Sequence, residues 1–316
     1  MTILITGGNG FLGKRLGKIL KERGKKVFLA SRNNKQNLLA QQYSGCEAIA
    51  MDVSNIESVR DAFSYVKPDV VIHGAATKFV DLSEKYPFET LDINVLGSQN
   101  IARVAIEKNI KTVIGISTDK ASPPIRNIYG LSKSMMERLF CSLNGRSGVK
   151  FLSVRYGNVA WSTGSVLGIW KKMKDTQGYF GTTGPEMYRY FFTVDEAVQL
   201  VLTAFDNAET LQGKVLSRMM KASKLEEILK VWSRMENIEY RKIDPRPGER
   251  LEEYLIGAEE LGYAQETIFD NLQHYILNFN EKSPAPLREV LSSRTAVQLN
   301  ESEIMALIKN PPYEEI

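Results

Sequence analysis

The sequence predicts an α/β protein built on a doubly wound parallel sheet, with a smaller C-terminal lobe. Three observations lead there. Short apolar runs alternate with amphipathic segments through residues 1–156, a glycine-rich turn separates the first run from the first amphipathic segment, and the alternation loosens from residue 157 onward.

The candidate strands are "ILIT" (3–6), "KVFLAS" (26–31), "EAIAMD" (47–52), "DVVIHG" (69–74), "TVIGIS" (112–117) and "KFLSVRY" (150–156). Their nearly continuous apolar character suits strands covered on both faces. Between the first two, "FLGKRLGKILKERG" sets Phe11, Leu12, Leu16, Ile19 and Leu20 on one helical face, and Gly24 stops the helix. Past residue 156, "GNVAWSTGSV" and "DTQGYFGTTGPEMYRY" are loop-rich with scattered aromatics. Thr193 with Glu196 forms a capping box that opens a helix. "LSRMMKASKLEEILKVW" reads as a strand end followed by a helix. The expected division is 1–156 for the nucleotide-binding, catalytic part and 157–316 for a mainly substrate-binding lobe, with some segments returning to the sheet. That lobe would lie over the sheet's C-terminal edge, where ligands of such folds bind.

Composition narrows the function. The chain has 316 residues, 43% hydrophobic and 25% charged, with a net charge of +4. That charge is too mild and dispersed for a nucleic-acid partner. Cys46 and Cys141 are far apart and match no metal spacing, so no metal is expected, and two cysteines build no disulfide framework. A reducing cytoplasm is the expected location. No apolar run has the length of a membrane span, and "MTILITGG" does not read as a signal peptide.

The turn "ILITGGNGFLGKRL" places Gly7, Gly10 and Gly13 between a strand and a helix. Glycines there let the backbone approach a pyrophosphate, which the helix N-terminus attracts. The second strand ends in "ASRNN", with Ser31 and Arg32 and no carboxylate. A basic residue suits the 2′-phosphate of NADP, whereas NAD sites carry an acid, so NADP is expected rather than NAD. The G-x-x-G-x-x-G spacing resembles the extended short-chain dehydrogenase/reductase superfamily, whose core is a Rossmann-type sheet. The resemblance also assigns Phe11, Leu12, Val53 and Ala75 to the cofactor site, and Asp52 to the adenine.

Two further pairs carry chemistry. Tyr129 and Lys133 stand four apart in "NIYGLSKSMMERLF" and share a helical face. An ammonium and an oxidised nicotinamide beside the phenol would favour phenolate, a base for a sugar hydroxyl. Lys133 could also hold the ribose hydroxyls. Upstream, "STDKASPPIRNIYGLSK" brings Thr118, Asp119 and Lys120 to a strand end. As charges they could be a solvated loop pair. As chemistry they are an acid beside a base.

The triplet with its short gap to the tyrosine resembles the polysaccharide-biosynthesis dehydratases acting on UDP-N-acetylglucosamine. "HGAATKFVDLSEKYPFETLDINVLGSQN", "VRYGNVAWSTGSV", "MYRYFFTVDEAV", "RPGERLEE" and "SSRTAVQLNESEI" carry the resemblance along nearly the whole chain. It implies that Tyr129 assists oxidation of C4, Lys120 removes the C5 proton and Asp119 protonates the departing C6 hydroxyl. Thr118 would hydrogen-bond the C4 oxygen. It further assigns Lys78, Arg155, Asn158, Arg189, Arg246 and Glu249 to the sugar-nucleotide pocket, and implies a homo-oligomer, dimeric or hexameric. The sequence departs from the family at Thr163, where a basic residue is usual, and at Tyr188, Glu252 and Leu299. Those departures leave open the exact sugar and a reaction that stops at a 5,6-alkene. A nucleotide-sugar epimerase and a non-catalytic NADP-binding regulator are the alternative readings.

Overall fold

A computed structural model describes residues 1–145, 147–245 and 248–312. Its centre is a nine-stranded sheet. Strands β1 (Thr2–Thr6), β2 (Lys26–Ser31), β3 (Glu47–Ala50), β4 (Val70–His73), β5 (Thr112–Thr118) and β6 (Lys150–Tyr156) run parallel in the order 3-2-1-4-5-6. This is the doubly wound order, and its crevice lies where the order reverses beside β1. All six strands fall on the apolar runs of the first half.

The sheet does not end at β6. β7 (Val215–Arg218) pairs parallel to it, and the hairpin β8 (Ala264–Phe269) and β9 (Leu272–Leu277) extends the edge antiparallel. Residues beyond 156 therefore contribute three strands to the sheet as well as a separate lobe.

Alternate residues of each strand enter opposite cores. Ile3, Ile5 and Leu29 join Leu16 and Leu20 of helix α1 (Phe11–Glu22) and Ala40 of α2 (Asn34–Ser44). Leu4, Phe28 and Val71 join Val59 and Phe63 of α3 (Ile56–Val66), Ile101 of α4 (Gly97–Glu107) and Phe140 of α5 (Ile128–Leu143). Two-sided burial is the physical reason β1, β2, β4, β5 and β6 are largely apolar; β3 is the exception, since as the sheet's edge strand it has Glu47 and Ala50 exposed and only partial cover on Ala48 and Ile49.

The lobe has its own core. Helices α6 (Val166–Gln177), α8 (Leu225–Glu236) and α9 (Glu301–Lys309) pack around Trp232, whose ring lies 5.8 Å from Trp161, 6.4 Å from Trp170 and 5.1 Å from Phe180. The aromatics scattered through the loop-rich stretches converge there. Helix α7 (Val194–Asp206) returns to the sheet and opens with the Thr193–Glu196 capping box. Among the described residues no helix is long and apolar enough to cross a membrane.

Candidate active site

A cleft of about 480 Å3 lies at the C-terminal edge of the sheet, between the sheet and the lobe. Its floor is the glycine turn. Gly7 has φ +67°, and its oxygen accepts from Gly10 N at 2.9 Å. A Cβ on Gly13 would stand 2.6 Å from Gly7 O, and one on Gly7 would stand 2.8 Å from Ala75 N. Only glycines allow the turn to close this tightly. Helix α1 then begins at Gly10 with no side chain capping its first N–H groups. An open helix start above a glycine cradle fits a dinucleotide's pyrophosphate. Gly7, Gly10, Phe11, Leu12, Gly13 and Ala75 line the cleft.

The other cofactor candidates stand apart from that lining. Ser31 donates to Asn37, and Asp52 accepts from Ser54 N and Oγ at 2.9 and 2.7 Å. Val53 is buried against Gly97. Arg32 is more than half exposed, with Glu89 4.0 Å away.

Helix α5 carries Tyr129 and Lys133 into the cleft wall. Its start is fixed by Asn127, whose side chain accepts from Gly130 N at 2.7 Å. Lys133 is buried, and its ammonium donates to Met136 Sδ, a weak acceptor. Burial pulls its pKa down to about 8, against the opposing pull of Glu137. Burial pushes the Tyr129 phenol upward, only partly countered by Lys120 and by a hydrogen bond with Thr118.

A hydrogen-bond chain behind this wall escaped the sequence reading. Ala75 N donates to Thr6 Oγ1 at 3.1 Å, and Ser98 Oγ donates to Asn94 O. His73 lies between them, with Nδ1 2.8 Å from Thr6 Oγ1 and Nε2 3.0 Å from Ser98 Oγ. Since the Ser98 hydrogen is already committed, Nε2 is the donor and Nδ1 the acceptor. Burial lowers the His73 pKa to about 3, keeping it neutral. The Asn94 side chain in turn holds Thr77 N and O and bonds Ser132 Oγ. Asn94 sits in a π-helical stretch, Leu91–Leu96, a form that recurs at functional sites.

Strand β5 delivers Thr118, Asp119 and Lys120. Thr118 Oγ1 donates to Asp119 Oδ1 at 2.9 Å, and Lys120 Nζ lies 3.1 Å from the same oxygen. Thr118 and Lys120 line the cleft, while Asp119 is wholly covered behind them. Asp119 Oδ2 has no hydrogen-bond partner. A Cβ at position 157 would stand 2.9 Å from that oxygen, so Gly157 leaves it room. Burial raises the Asp119 pKa, and Lys120 opposes that rise. Burial alone would depress Lys120, but the Asp119 and Glu253 carboxylates outweigh it and the net shift is upward. Burial thus raises the proton affinity of the Asp119 carboxylate, and the two carboxylates hold Lys120 toward ammonium.

Of the substrate candidates, Lys78, Asn158, Arg189 and Glu249 line the cleft. Arg246 lies outside the described residues. Arg155 is a correction. It is buried beneath the site, and all five of its N–H donors are spent: two on Glu137 (2.9 and 2.6 Å), two on Glu260 (2.8 and 2.9 Å) and one on Leu255 O (2.8 Å). No donor remains for a phosphate. Glu253 also lines the cleft and was missed, although it stands in the "RPGERLEE" segment. Thr163, Gly164 and Ser165 face the cleft before α6, whose first turn has no side-chain cap, and the Ser165 hydroxyl is buried without a partner.

Strand order, glycine cradle and Tyr–Lys helix together define an extended short-chain dehydrogenase/reductase. Comparison with known proteins narrows the class. The chain belongs to the family of polysaccharide biosynthesis proteins, which matches residues 3–273. It is 33% identical to a UDP-glucose 4-epimerase of Rickettsia bellii over 99% of this chain and 96% of that protein. It is 34% identical to the capsular polysaccharide biosynthesis protein CapD of Staphylococcus aureus, over 87% of this chain and 49% of CapD. Among solved structures, Pen from Bacillus thuringiensis superposes with a TM-score of 0.89 at 27% identity, covering 100% of this chain and 98% of Pen.

Proposed function

We propose that this chain is a nucleotide-sugar enzyme that removes water from a UDP-N-acetylhexosamine, UDP-N-acetylglucosamine being the leading candidate, to give a 4-keto-6-deoxy sugar with NADP as cofactor. The observation that carries this reading is the acid–base pair. A carboxylate whose proton affinity burial raises lies 3.1 Å from Lys120 Nζ, and Lys120 shares one cleft with a Tyr–Lys helix. Simple 4-epimerisation has no use for such a pair.

The nicotinamide, when bound, supplies a hydride acceptor for C4 and a hydride donor for C6, so the cycle is redox-neutral and the cofactor stays bound. Tyr129 takes the proton of the C4 hydroxyl, and Thr118 hydrogen-bonds the C4 oxygen. Lys133 holds the ribose hydroxyls and keeps positive charge near Tyr129. A ketone at C4 makes the C5 hydrogen acidic, and the Lys120 amine removes it as a proton. The C5–H electrons form the C5–C6 double bond as the C6 hydroxyl leaves. Asp119 provides the proton that makes the leaving group water. Because Asp119 is covered, that proton reaches the cleft by way of Thr118 or Lys120, the two cleft-lining side chains that touch it. A proton from Lys120 then restores C5.

Lys78, Arg189 and the uncapped start of α6 support a diphosphate in the cleft, with Asn158 and Glu249 toward the sugar. The exposed Arg32 at the end of β2, with no acid in its place, supports NADP. Phe88, Leu91, Leu131 and Met135, exposed on neighbouring helices, support a homo-oligomer. A second reading, nucleotide-sugar epimerase, is favoured by the name of the Rickettsia relative.

The deciding experiment is incubation with UDP-N-acetylglucosamine in D2O, read by product mass and proton NMR. Loss of one water with deuterium at C5 is the expected result. A product of unchanged mass, inverted at C4, would establish the epimerase instead. An accumulating 5,6-alkene would mean that the reaction stops at elimination.

A further inference from the structure

We infer that Glu253 is a positioning residue that holds Lys120 as an ammonium at rest and sets the pH at which the Lys120 amine becomes available. The inference rests on the dehydratase reading for its consequence, but not for its geometry.

The geometry is a cage. Lys120 Nζ is met by Asp119 Oδ1 at 3.1 Å, Asn158 Oδ1 at 3.4 Å and Glu253 Oε1 at 3.4 Å. Three oxygens face one nitrogen. An ammonium has three N–H donors and can serve all of them, whereas an amine has two and would turn its lone pair on the third. The site is thus shaped for the charged form, and Glu253 supplies the second negative charge.

The Glu253 backbone is anchored. Its N–H donates to Ser293 Oγ at 2.9 Å, and its carbonyl accepts from Ser293 N at 2.8 Å. The same serine hydroxyl donates to Tyr188 O at 3.1 Å, tying Glu253 to the strand that carries Arg189. Only 2% of Glu253 is exposed. Every charged group around it is in place: Lys120, Arg189 with Nε at 3.9 Å, and Arg250 with Nη1 at 3.6 Å, with Asp119 and the Tyr190 phenol beyond. The three cations outweigh the cost of burial and keep the carboxylate ionised. Yet Glu253 Oε2 and Arg250 Nη1 form no hydrogen bond. A carboxylate left short of partners in a buried site is costly and calls for a reason, and control of Lys120 is one.

The step under control is a single proton transfer. The Lys120 Nζ–H bond breaks and an O–H bond forms on Asp119, which leaves a neutral amine and a neutral acid. Both are the forms elimination needs, and no electron changes hands. Glu253 opposes the transfer because its charge favours the ammonium. The sign follows. The active form, amine beside neutral acid, holds one proton between the two groups, so activity falls at low pH when a second proton is added and at high pH when the first is lost, and removing the Glu253 charge moves both limbs to lower pH.

The test has two arms. In protein carrying 15N-lysine, with Lys120 assigned through Lys120→Arg, the Nζ signal is expected to be an ammonium at pH 7. In Glu253→Gln it should titrate about one to three pH units lower, the usual effect of one opposite charge at this range. A neutral amine at pH 7 in the unaltered protein, or an unmoved titration in the variant, would overturn the inference. The unaltered protein alone decides the first point should the variant fail to fold. In the activity arm, Glu253→Gln shifts the acid limb of kcat downward, while Glu253→Asp, which keeps the charge, leaves the limb near its original position. A uniform loss of activity with no shift would make Glu253 merely structural. If the unaltered protein removes no water from UDP-N-acetylglucosamine, the dehydratase reading fails, and the lysine titration still decides the role of Glu253.

Discussion

Two groups of buried charge lie in this molecule, and they are built in opposite ways. Around Arg155, every guanidinium donor is matched, at 2.6 to 2.9 Å, by Glu137, Glu260 and Leu255 O. Among the ion pairs of the Lys120 group, contacts run from 3.1 to 3.9 Å, and Asp119 Oδ2 and Glu253 Oε2 have no hydrogen-bond partner. The first group ties β6 to α5 and to the segment Ala258–Tyr263 and touches no cleft. The second forms the cleft wall. Full satisfaction fixes a structure, while partial satisfaction leaves protons free to move. Ionisable residues alone do not mark a site; unspent bonding capacity does.

The comparison breaks most sharply at Lys120. Lys120→Ala is expected to reduce water loss by about 10^2- to 10^4-fold, the usual worth of a positioned base. Binding of NADP should survive, since the cradle of Gly7, Gly10 and Gly13 is untouched. Turnover assays and a cofactor titration measure the two. If NADP binding collapses as well, Lys120 belongs to the cofactor site and the contrast between the groups loses its meaning.

Arg155→Ala probes the other side. It leaves Glu137 and Glu260 buried without their cation, and removal of one partner from such a cluster costs about 3–5 kcal/mol. Denaturant unfolding should show that loss. Turnover per folded molecule should fall far less than in Lys120→Ala. Equal damage to turnover would put Arg155 in the chemistry after all.

Arg155 also shows what the sequence could not disclose. The family resemblance placed this arginine in the sugar-nucleotide pocket, and a diphosphate calls for arginines. Its partners come from the buried face of α5 and from 105 positions downstream. No local periodicity connects them, so only folding reveals that the guanidinium is spent. Glu253 was hidden for the same reason, because it meets Lys120 only when the lobe folds back over β5. Strands β1, β2, β4, β5 and β6 were legible because burial on both faces forces a one-letter pattern, largely apolar. The glycine turn was legible because it needs nothing beyond its own neighbours. The adjacent Asp119 and Lys120 lie between these cases. Their pairing is local, but which of the two faces the cleft is set by Gly157 and Thr118 in three dimensions.

The smallest expected effect belongs to a site remote from both groups. Thr193 accepts from Glu196 N at 3.2 Å, and Glu196 accepts from Thr193 N at 2.9 Å, closing the first turn of α7. Thr193→Ala removes one half of that exchange and should cost about 1 kcal/mol of stability. Helix α7 packs on the face of the sheet shared with α1, through Val198, Val201 and Leu202, and none of these residues lines the cleft. Turnover and its pH profile should therefore be unchanged while the unfolding midpoint falls. The variant thus calibrates the other two. A stability loss of this size sets how much of the Arg155→Ala deficit belongs to the buried ions rather than to generic weakening. An altered pH profile in Thr193→Ala would mean that the Lys120 group answers to global stability, and its looseness could then no longer be read as a device for moving protons.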